Sequence, residues 1–172
     1  RGRTRIDTAT GLSIGPLAPA DTPVDVLLVP GFMHASPDDL LARLAGYGPE
    51  VALVRDAARR GIPVAASCCG TFLLAEAGLL DGRDATTSWW LHSAFRRRYP
   101  RARVDVERMV VEDGGVTTTG ASTAVMSWAL QLLARHAGAA LAQQTARLML
   151  IDPDRNSQAP YISLALAERP RH

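Results

Sequence analysis

A turn from a strand into a helix, within residues 64–72, decides the fold that this sequence predicts. The stretch reads Val64-Ala65-Ala66-Ser67-Cys68-Cys69-Gly70-Thr71-Phe72. An apolar run over 62–66 predicts a strand, and the pattern over 71–77 predicts a helix that follows almost at once. Small residues lie two positions before and two positions after Cys68, at Ala66 and Gly70. This is the nucleophile-elbow pattern, in which small neighbours tolerate the strained turn that exposes the central side chain.

Strands and helices alternate on both sides of this turn. Before it, a β-rich run over 24–29 ends at Pro30-Gly31, and two helical stretches follow, one capped by Ser36 and one over 50–60. After it, the pattern predicts a helix over 89–98 and short strands over 103–106, 109–112 and 116–119. A long helix capped by Ser122 or Thr123 then ends near 137, and a last helix covers 139–150. The alternation predicts an α/β fold: a doubly wound, mostly parallel sheet with helices on both faces.

Length and composition limit the class of protein. The chain has 172 residues, a usual size for a single domain. Hydrophobic residues make up 47% and charged residues 21%, which is typical of a folded protein and not of a disordered one. No apolar run approaches the ~18 residues of a membrane-spanning helix, so neither a membrane partner nor a signal peptide is expected. Because the chain does not begin with Met, we expect it to be part of a longer protein.

The two cysteines, Cys68 and Cys69, are neighbours in the chain. Neighbouring cysteines rarely form a disulfide, since the bond needs Cα atoms ~5.5 Å apart across a chain crossing. Two thiolates are also too few for a zinc site. We therefore expect no metal, no cofactor and a cytoplasmic protein.

Cys68 is the candidate for chemistry at this turn. The N-terminus of the following helix would lower the pKa of its thiol and present backbone N–H groups to an anion. Cys68 is therefore a candidate nucleophile or ligand-binding group. The alternative is a buried cysteine that packs beneath the turn.

Positive charge is concentrated in one place. The net charge is +2, and all 19 basic residues are Arg. The one cluster contains Arg96, Arg97, Arg98, Arg101 and Arg103. A DNA-binding domain normally carries a stronger basic footprint, so we expect a solvated face and no nucleic-acid binding by this chain itself.

Longer stretches around the turn resemble a known superfamily. They are Cys68-Cys69-Gly70-Thr71-Phe72-Leu73-Leu74-Ala75-Glu76-Ala77-Gly78-Leu79-Leu80-Asp81-Gly82-Arg83, Ala85-Thr86-Thr87-Ser88-Trp89, Val111-Glu112-Asp113-Gly114-Gly115-Val116 and Ser157-Gln158-Ala159-Pro160-Tyr161. In this order they resemble the ThiJ/PfpI superfamily, whose domains are class I glutamine-amidotransferase-like and flavodoxin-like in fold. Within it, the chain is most similar to the N-terminal sensor domain of AraC-family transcriptional regulators.

The resemblance implies a division of the chain. Residues 1–151 would form the sensor domain, with its first strand and helix missing, and residues 152–172 would be a linker-like tail. That tail would lead to an absent C-terminal helix-turn-helix domain that binds DNA. The protein would act as a homodimer and respond to a small-molecule effector, expected to be a small nitrogenous or amino-acid-like metabolite.

The resemblance also implies where the effector binds. In this superfamily the elbow cysteine and the Pro-Gly turn after the preceding strand line a pocket at the carboxyl ends of the strands, as ligand sites do in open α/β sheets. The residues implied here are Cys68, Cys69, Gly31, Phe32, Ser88 and Trp89. A carboxylate that supports the cysteine in enzymatic relatives would come from the missing first part.

Two departures from the superfamily pattern bear on catalysis. Enzymatic relatives often carry His or another polar residue directly after the elbow cysteine, where this chain has Cys69, and the Thr-Thr-His motif ends here in Ser88. A catalytic thiolate needs a base or a cationic neighbour. His92, one helical turn after Ser88, and His34, after the Pro-Gly turn, are the candidates. For any single histidine, however, a surface or packing role is expected.

The alternative to sensing is a stand-alone cysteine-dependent hydratase or amidohydrolase of the same superfamily. Cys68 would be its nucleophile, and the backbone N–H groups of Cys69 and Phe32 would form its oxyanion hole. A third interpretation is a scaffold whose elbow no longer binds anything.

Two adjacent tryptophans, Trp89 and Trp90, also allow two interpretations. Aromatic rings near the pocket can cage a quaternary ammonium group. Alternatively, one ring packs in the core and the other covers the surface. Trp128, on the long helix, is expected in the core.

Overall fold

The computed structural model describes residues 5–8, 10–19 and 22–162. Its strands are β1 (Ile6–Asp7), β2 (Ser13–Ile14), β3 (Leu27–Val29), β4 (Val64–Ser67), β5 (Asp84–Ala85), β6 (Arg103–Val104), β7 (Val110–Asp113) and β8 (Val116–Thr119). Its α-helices are α1 (Pro37–Leu44), α2 (Gly48–Arg59), α3 (Thr71–Glu76), α4 (His92–Arg98), α5 (Ala124–Ala137) and α6 (Ala139–Leu148). Short 3-10 turns cover Cys68–Gly70, Trp89–Leu91 and Ala159–Tyr161.

A four-stranded sheet in the order β3-β4-β8-β7 forms the centre of the fold. Strand β4 pairs in parallel with both β3 and β8, so that Ala65 lies between Leu28 and Thr117. Strand β7 is antiparallel to β8. Strands β1 and β2 form a separate antiparallel pair, and β5 and β6 a separate parallel pair. The predicted α/β fold with a mostly parallel sheet is confirmed.

Strand β4, which leads into the elbow, is buried along its whole length. Alternate residues of a strand point to opposite faces. Val64 and Ala66 belong to the apolar core that contains Phe72 of α3, and Ala65 does not. Ala65 instead lines a cavity together with Trp128 of α5, at a point where Val64 also borders it. Trp128 is 4% exposed, in agreement with its expected place in the core. Helices on both sides of β4 therefore hold the elbow on a rigid support.

Most predicted elements are present with shifted ends. Helix α2 begins at Gly48, two residues before the predicted helix. Pro49 is tolerated in the first turn because the N–H groups there have no intrahelical acceptor, so the N–H that proline lacks is not needed. Strand β3 covers 27–29 of the predicted 24–29, and β6 covers 103–104 of the predicted 103–106. Helix α6 ends at Leu148 and not at 150, where Leu150 adopts a φ of 56°. The β1–β2 hairpin was not predicted.

Two helix starts differ in how they are capped. Ser36 caps α1 as predicted, since its Oγ accepts a hydrogen bond from the Asp39 N–H at 3.0 Å. Thr123 occupies the capping position of α5 but makes no hydrogen bond there through its side chain. The predicted helix over 89–98 is a 3-10 turn followed by α4.

The segment after α6 returns to the domain. The Gln158 N–H donates to the Glu107 carbonyl at 2.6 Å, and the Met109 N–H donates to the Asn156 carbonyl at 3.0 Å. Gln158 is 2% exposed. Part of the stretch predicted as a linker-like tail, residues 156–161, is thus bound to the domain, whereas residues 163–172 lie outside the described part of the chain.

The arginine cluster at and after α4 is partly neutralised. Arg98 pairs with Glu76 at 2.6 Å and Arg103 with Asp84 at 2.6 Å, and Arg101 pairs with Asp81. These ion pairs agree with the solvated face expected from the sequence. In the part of the chain that the structure describes, no helix combines the length and apolar character that a membrane crossing requires.

Candidate functional site

The elbow places Cys68 in a conformation that few side chains adopt. Its φ is 54°, in the left-handed region, which is sparsely populated by residues other than glycine. The Cys68 N–H donates to the Gly120 carbonyl at 3.1 Å, and the Thr87 hydroxyl donates to the Cys68 carbonyl at 3.0 Å. Both peptide groups of the strained residue are therefore fixed, one by the residue that follows β8 and the other by the loop after β5.

Two glycines let the chain after β3 approach the elbow closely. A Cβ atom on Gly70 would lie 2.7 Å from the carbonyl oxygens of both Val29 and Pro30. A Cβ atom on Gly31 would lie 3.1 Å from the Cys68 Cβ and 3.6 Å from its Sγ. The Pro-Gly turn thus packs directly against the elbow.

The Cys68 sulfur is surrounded by hydrogen-bond donors. The Ser88 hydroxyl donates to it at 2.8 Å, and the backbone N–H groups of Cys69 and Ser122 also face it. The Cys69 thiol, followed by the Ser88 hydroxyl, lowers the pKa of Cys68 to about 5, against the opposing effect of burial. Cys68 is accordingly a thiolate at neutral pH.

Cys69 is the buried partner of that thiolate. Its Sγ accepts from the Phe32 N–H at 3.1 Å and lies 3.2 Å from the Phe32 carbonyl, to which its thiol can donate. Cys69 has one S–H, which it can donate either to this carbonyl or to the Cys68 sulfur. When Cys68 is ionised, its sulfur is the charged acceptor and forms the stronger hydrogen bond with that S–H. The neighbouring thiolate and burial raise the pKa of Cys69 well above its usual range. Because Cys69 engages the Phe32 N–H, the oxyanion hole predicted from Cys69 and Phe32 is not free in this conformation.

The thiolate opens into a cavity at the carboxyl ends of β3 and β4, here named the Cys68 pocket. Its volume is about 670 Å³. Besides Cys68, its walls include Gly31, Phe32, Met33, His34, Trp90 and Ser122. Its position agrees with the rule for ligands in open α/β sheets.

The predicted site residues take different places around this pocket. Gly31, Phe32 and Cys68 line it directly, whereas Cys69 and Ser88 are fully buried and act through the Cys68 sulfur. Trp89 does not line it, and its neighbour Trp90 does.

The two candidate histidines also differ. His34 lines the Cys68 pocket, and its Nδ1 lies 3.1 Å from the Phe32 carbonyl. His92 is not among the residues that line the pocket. Burial, followed by the positive charge of Arg96, lowers the pKa of His92. The hydrogen bonds of the described residues do not include one from either imidazole to the Cys68 sulfur.

Trp89 belongs to a second cavity, here named the Trp89 cavity, of about 230 Å³. Its walls include Met109, Ser122, Thr123, Arg155 and Tyr161. Ser122 lines both cavities, so they are neighbours.

Sequence reasoning named Ser122 only as a possible helix cap and missed its place in the Cys68 pocket, although one signal was available. Ser122 follows β8, a parallel neighbour of β4, and the carboxyl ends of parallel strands meet at one edge of the sheet. Gln158 was quoted only as part of a motif. Its Oε1 accepts from the Ala121 N–H at 2.8 Å, and its Nε2 donates to the Val106 carbonyl at 2.9 Å.

Sequence comparisons relate the chain to known proteins. Residues 8–135 match the model of the DJ-1/PfpI family. The chain is 34% identical over 120 residues to the HTH-type transcriptional regulator CdhR of Pseudomonas aeruginosa, covering 66% of this chain and 35% of the regulator. It is 32% identical over 146 residues to the isonitrile hydratase of Pseudomonas putida, covering 80% of this chain and 58% of the hydratase. The chain therefore spans about a third of the regulator and less than two thirds of the hydratase.

A solved structure supports the same fold. The crystal structure of an AraC family transcriptional regulator from Pseudomonas putida superposes with a TM-score of 0.68 at 20% identity, covering 86% of this chain and 77% of that one. The resemblance to AraC-type regulators that the sequence motifs indicated is confirmed. On the match over 8–135, the chain belongs to the DJ-1/PfpI family.

Proposed function

We propose that this chain is the effector-sensing domain of an AraC-type transcriptional regulator. The Cys68 pocket would bind a small nitrogenous or amino-acid-like metabolite, and a separate helix-turn-helix domain would bind DNA. The observation that carries the proposal is the setting of Cys68: a thiolate held by hydrogen-bond donors at the wall of an open cavity, with the Ser88 hydroxyl, and not a histidine, as a side-chain donor to its sulfur.

The pocket suits a ligand with a positively charged nitrogen. The Cys68 thiolate supplies a negative charge at its wall. The Trp90 ring, 38% exposed, and Phe32 supply aromatic surface beside it. Aromatic faces attract ammonium groups, most strongly when the contact excludes water. This combination favours an ammonium or quaternary ammonium compound over an anion.

The same setting disfavours catalysis, because no histidine among the described residues forms a hydrogen bond to the Cys68 sulfur, although His34 lines the same pocket. The Ser88 hydroxyl can donate to the sulfur but cannot take up a proton at neutral pH. Nδ1 of His34 lies beside the Phe32 carbonyl. A hydratase must deliver a proton to the substrate and remove one from the water that is added, and both steps need an acid–base group.

A bound effector would act by shifting the population of domain arrangements. Gly120, which accepts from the Cys68 N–H, directly precedes Ala121, whose N–H binds the Gln158 side chain. A ligand at Cys68 is thereby coupled to the segment that follows α6. We propose that this segment passes the signal on within a cytoplasmic homodimer.

A cysteine-dependent hydratase is the second candidate function. Two observations favour it: the lowered pKa of Cys68 and the similarity to isonitrile hydratase over 80% of the chain. In that case the N–H groups of Cys69 and Ser122, which face the sulfur, would stabilise the oxyanion.

One experiment separates the two functions. Thermal unfolding is followed with a panel of amino acids and quaternary ammonium compounds, and consumption of an alkyl isocyanide is measured in parallel. A ligand at a hundred times its Kd stabilises by about 2.7 kcal/mol, which raises the Tm of a domain this size by roughly 5–10 °C.

We expect that shift in the unmodified chain, its loss in Cys68→Ala and Trp90→Ala, and no isocyanide consumption. Leu141→Ala, on the exposed side of α6, is the matched control and should retain the shift. Cys68-dependent consumption of isocyanide, without a stabilising ligand, would establish the hydratase instead.

A further inference from the structure

The Trp89 cavity contains a cationic group that the proposed function does not use. Arg155 lines this cavity, and its Nη2 donates to the Thr123 carbonyl at 3.1 Å. Its Nε is fully buried and has no acceptor among the described residues. None of the ion pairs in the described part of the chain involves Arg155. Buried donors are nearly always satisfied, so a buried guanidinium N–H without a protein acceptor calls for an explanation.

We propose that the Trp89 cavity binds the carboxylate group of a small monocarboxylic acid, held by Arg155. A guanidinium presents its N–H groups in a planar fork that matches the two oxygens of a carboxylate. Among the described residues that line the cavity, Arg155 is the charged one, so a singly charged ligand balances it. A phosphate dianion would leave one negative charge unpaired.

The other walls define the rest of the ligand. Trp89, Met109 and Tyr161 supply apolar surface, and the volume of about 230 Å³ admits a body of the size of one aromatic ring. The cavity also lies at the start of α5, whose capping residue Thr123 makes no side-chain hydrogen bond to the first turn. The partial positive charge of a helix N-terminus adds to the attraction of Arg155 for an anion.

The site would join two parts of the fold. Arg155 and Tyr161 come from the segment after α6, whereas Trp89 and Ser122 come from the loops that surround the elbow. A carboxylate bound to Arg155 would therefore connect the segment after α6 to the loops around Cys68. A regulatory role for this connection rests on the proposed sensor function, whereas the binding of the carboxylate does not.

The test uses benzoate as the probe, with benzamide as its neutral analogue, on the 172-residue chain. The ¹H–¹⁵N NMR signal of the Arg155 Nε–H is followed directly and assigned by its absence in Arg155→Lys. We expect a saturable shift of this signal with benzoate and none with benzamide. The affinity for benzoate should fall at least tenfold in Arg155→Gln and at least fivefold in Arg155→Lys, which keeps the charge without the fork.

Two control variants separate this site from the rest of the molecule. Arg147→Gln removes an exposed arginine on α6 and should change the affinity less than twofold. Cys68→Ala, which abolishes effector binding in the proposed function, should also change it less than twofold. An unmoved Nε–H signal would mean that the carboxylate does not reach the guanidinium, and equal binding of benzamide would mean an apolar cavity only. Loss of benzoate binding in Cys68→Ala would place the probe in the Cys68 pocket, and each of these three results overturns the proposal.

Discussion

Replacing Cys69 with alanine should raise the pKa of the Cys68 thiol. The Cys69 S–H is the strongest of the influences that lower this pKa to about 5. A hydrogen bond to a charged group contributes roughly 1.5–3 kcal/mol, and one pKa unit corresponds to about 1.4 kcal/mol. Removing the donor should therefore raise the pKa by about one to two units.

The assay is the rate of alkylation by iodoacetamide between pH 4 and 9, because the thiolate is the reactive form. At pH 5, a rise of one unit lowers the thiolate fraction roughly fivefold, and a rise of two units roughly fiftyfold. The variant contains a single cysteine, so its profile reports Cys68 alone. Cys69→Ser keeps a hydroxyl donor at the same position and is the matched control, with a smaller expected shift.

Two results would refute this reasoning. If the profile of the unmodified chain has its midpoint near 8.5, as in free cysteine, the surrounding donors do not stabilise a thiolate. If Cys69→Ala and Cys69→Ser give the same profile as the unmodified chain, Cys69 donates to the Phe32 carbonyl in both ionisation states of Cys68.

Three further predictions concern the support of the site. Gly70→Ala should destabilise the fold by about 2–3 kcal/mol in urea unfolding, because its Cβ would overlap two backbone carbonyls. The control Gly46→Ala, in an open turn, should change stability by less than about 0.5 kcal/mol, and equal effects of the two variants would contradict the packing argument. Gln158→Leu should destabilise by about 3 kcal/mol in the same assay, since it leaves the Ala121 N–H and several carbonyls without partners, and a neutral effect would mean that water replaces the amide. Stability should rise with pH between about 5 and 9, by at most about 1.4 kcal/mol per pH unit, because the unfolded state keeps the Cys68 proton that the folded state has lost. Below about pH 7, His92 also contributes to the rise, because its pKa is lowered in the folded state. Above about pH 7, the rise should be absent in Cys68→Ala, and a rise of the same size in that variant would assign it to other groups.

The elbow was predictable because its signals are local. A buried strand, a small residue on each side of Cys68 and a following helix all fall within nine residues. The alternation of strands and helices predicted the parallel pairing of β3 and β4 for the same reason: a helical crossover between two strands leaves few other topologies.

The identity of the pocket walls was less predictable, since it depends on contacts between distant segments. Adjacent tryptophans must point in different directions, but whether Trp89 or Trp90 faces Cys68 depends on the 3-10 turn at 89–91, which the sequence pattern presented as a regular helix. The contact of Gln158 with the domain could not be predicted from a pattern of apolar residues, because it consists of side-chain hydrogen bonds to loops. The β1–β2 hairpin, with two residues in each strand, is too short to show a periodic pattern.

The low pKa of Cys68 is better explained by charge than by reactivity. At pH 7, lowering the pKa of a thiol from about 8.5 to about 5 raises the thiolate fraction from about 3% to about 99%, a gain of roughly thirtyfold. The same change weakens the thiolate as a nucleophile, with a Brønsted coefficient of about 0.4–0.5, which corresponds to a loss of roughly 25- to 55-fold.

The two effects nearly cancel, so the donors around Cys68 do not produce a faster nucleophile. What they produce is a fixed negative charge beside the exposed Trp90 ring, at the wall of a cavity of about 670 Å³. An enzyme would gain more from a thiol whose pKa lies near the ambient pH, with a base beside it. A site that recognises a cation gains from the charge itself, and this favours the sensor over the hydratase.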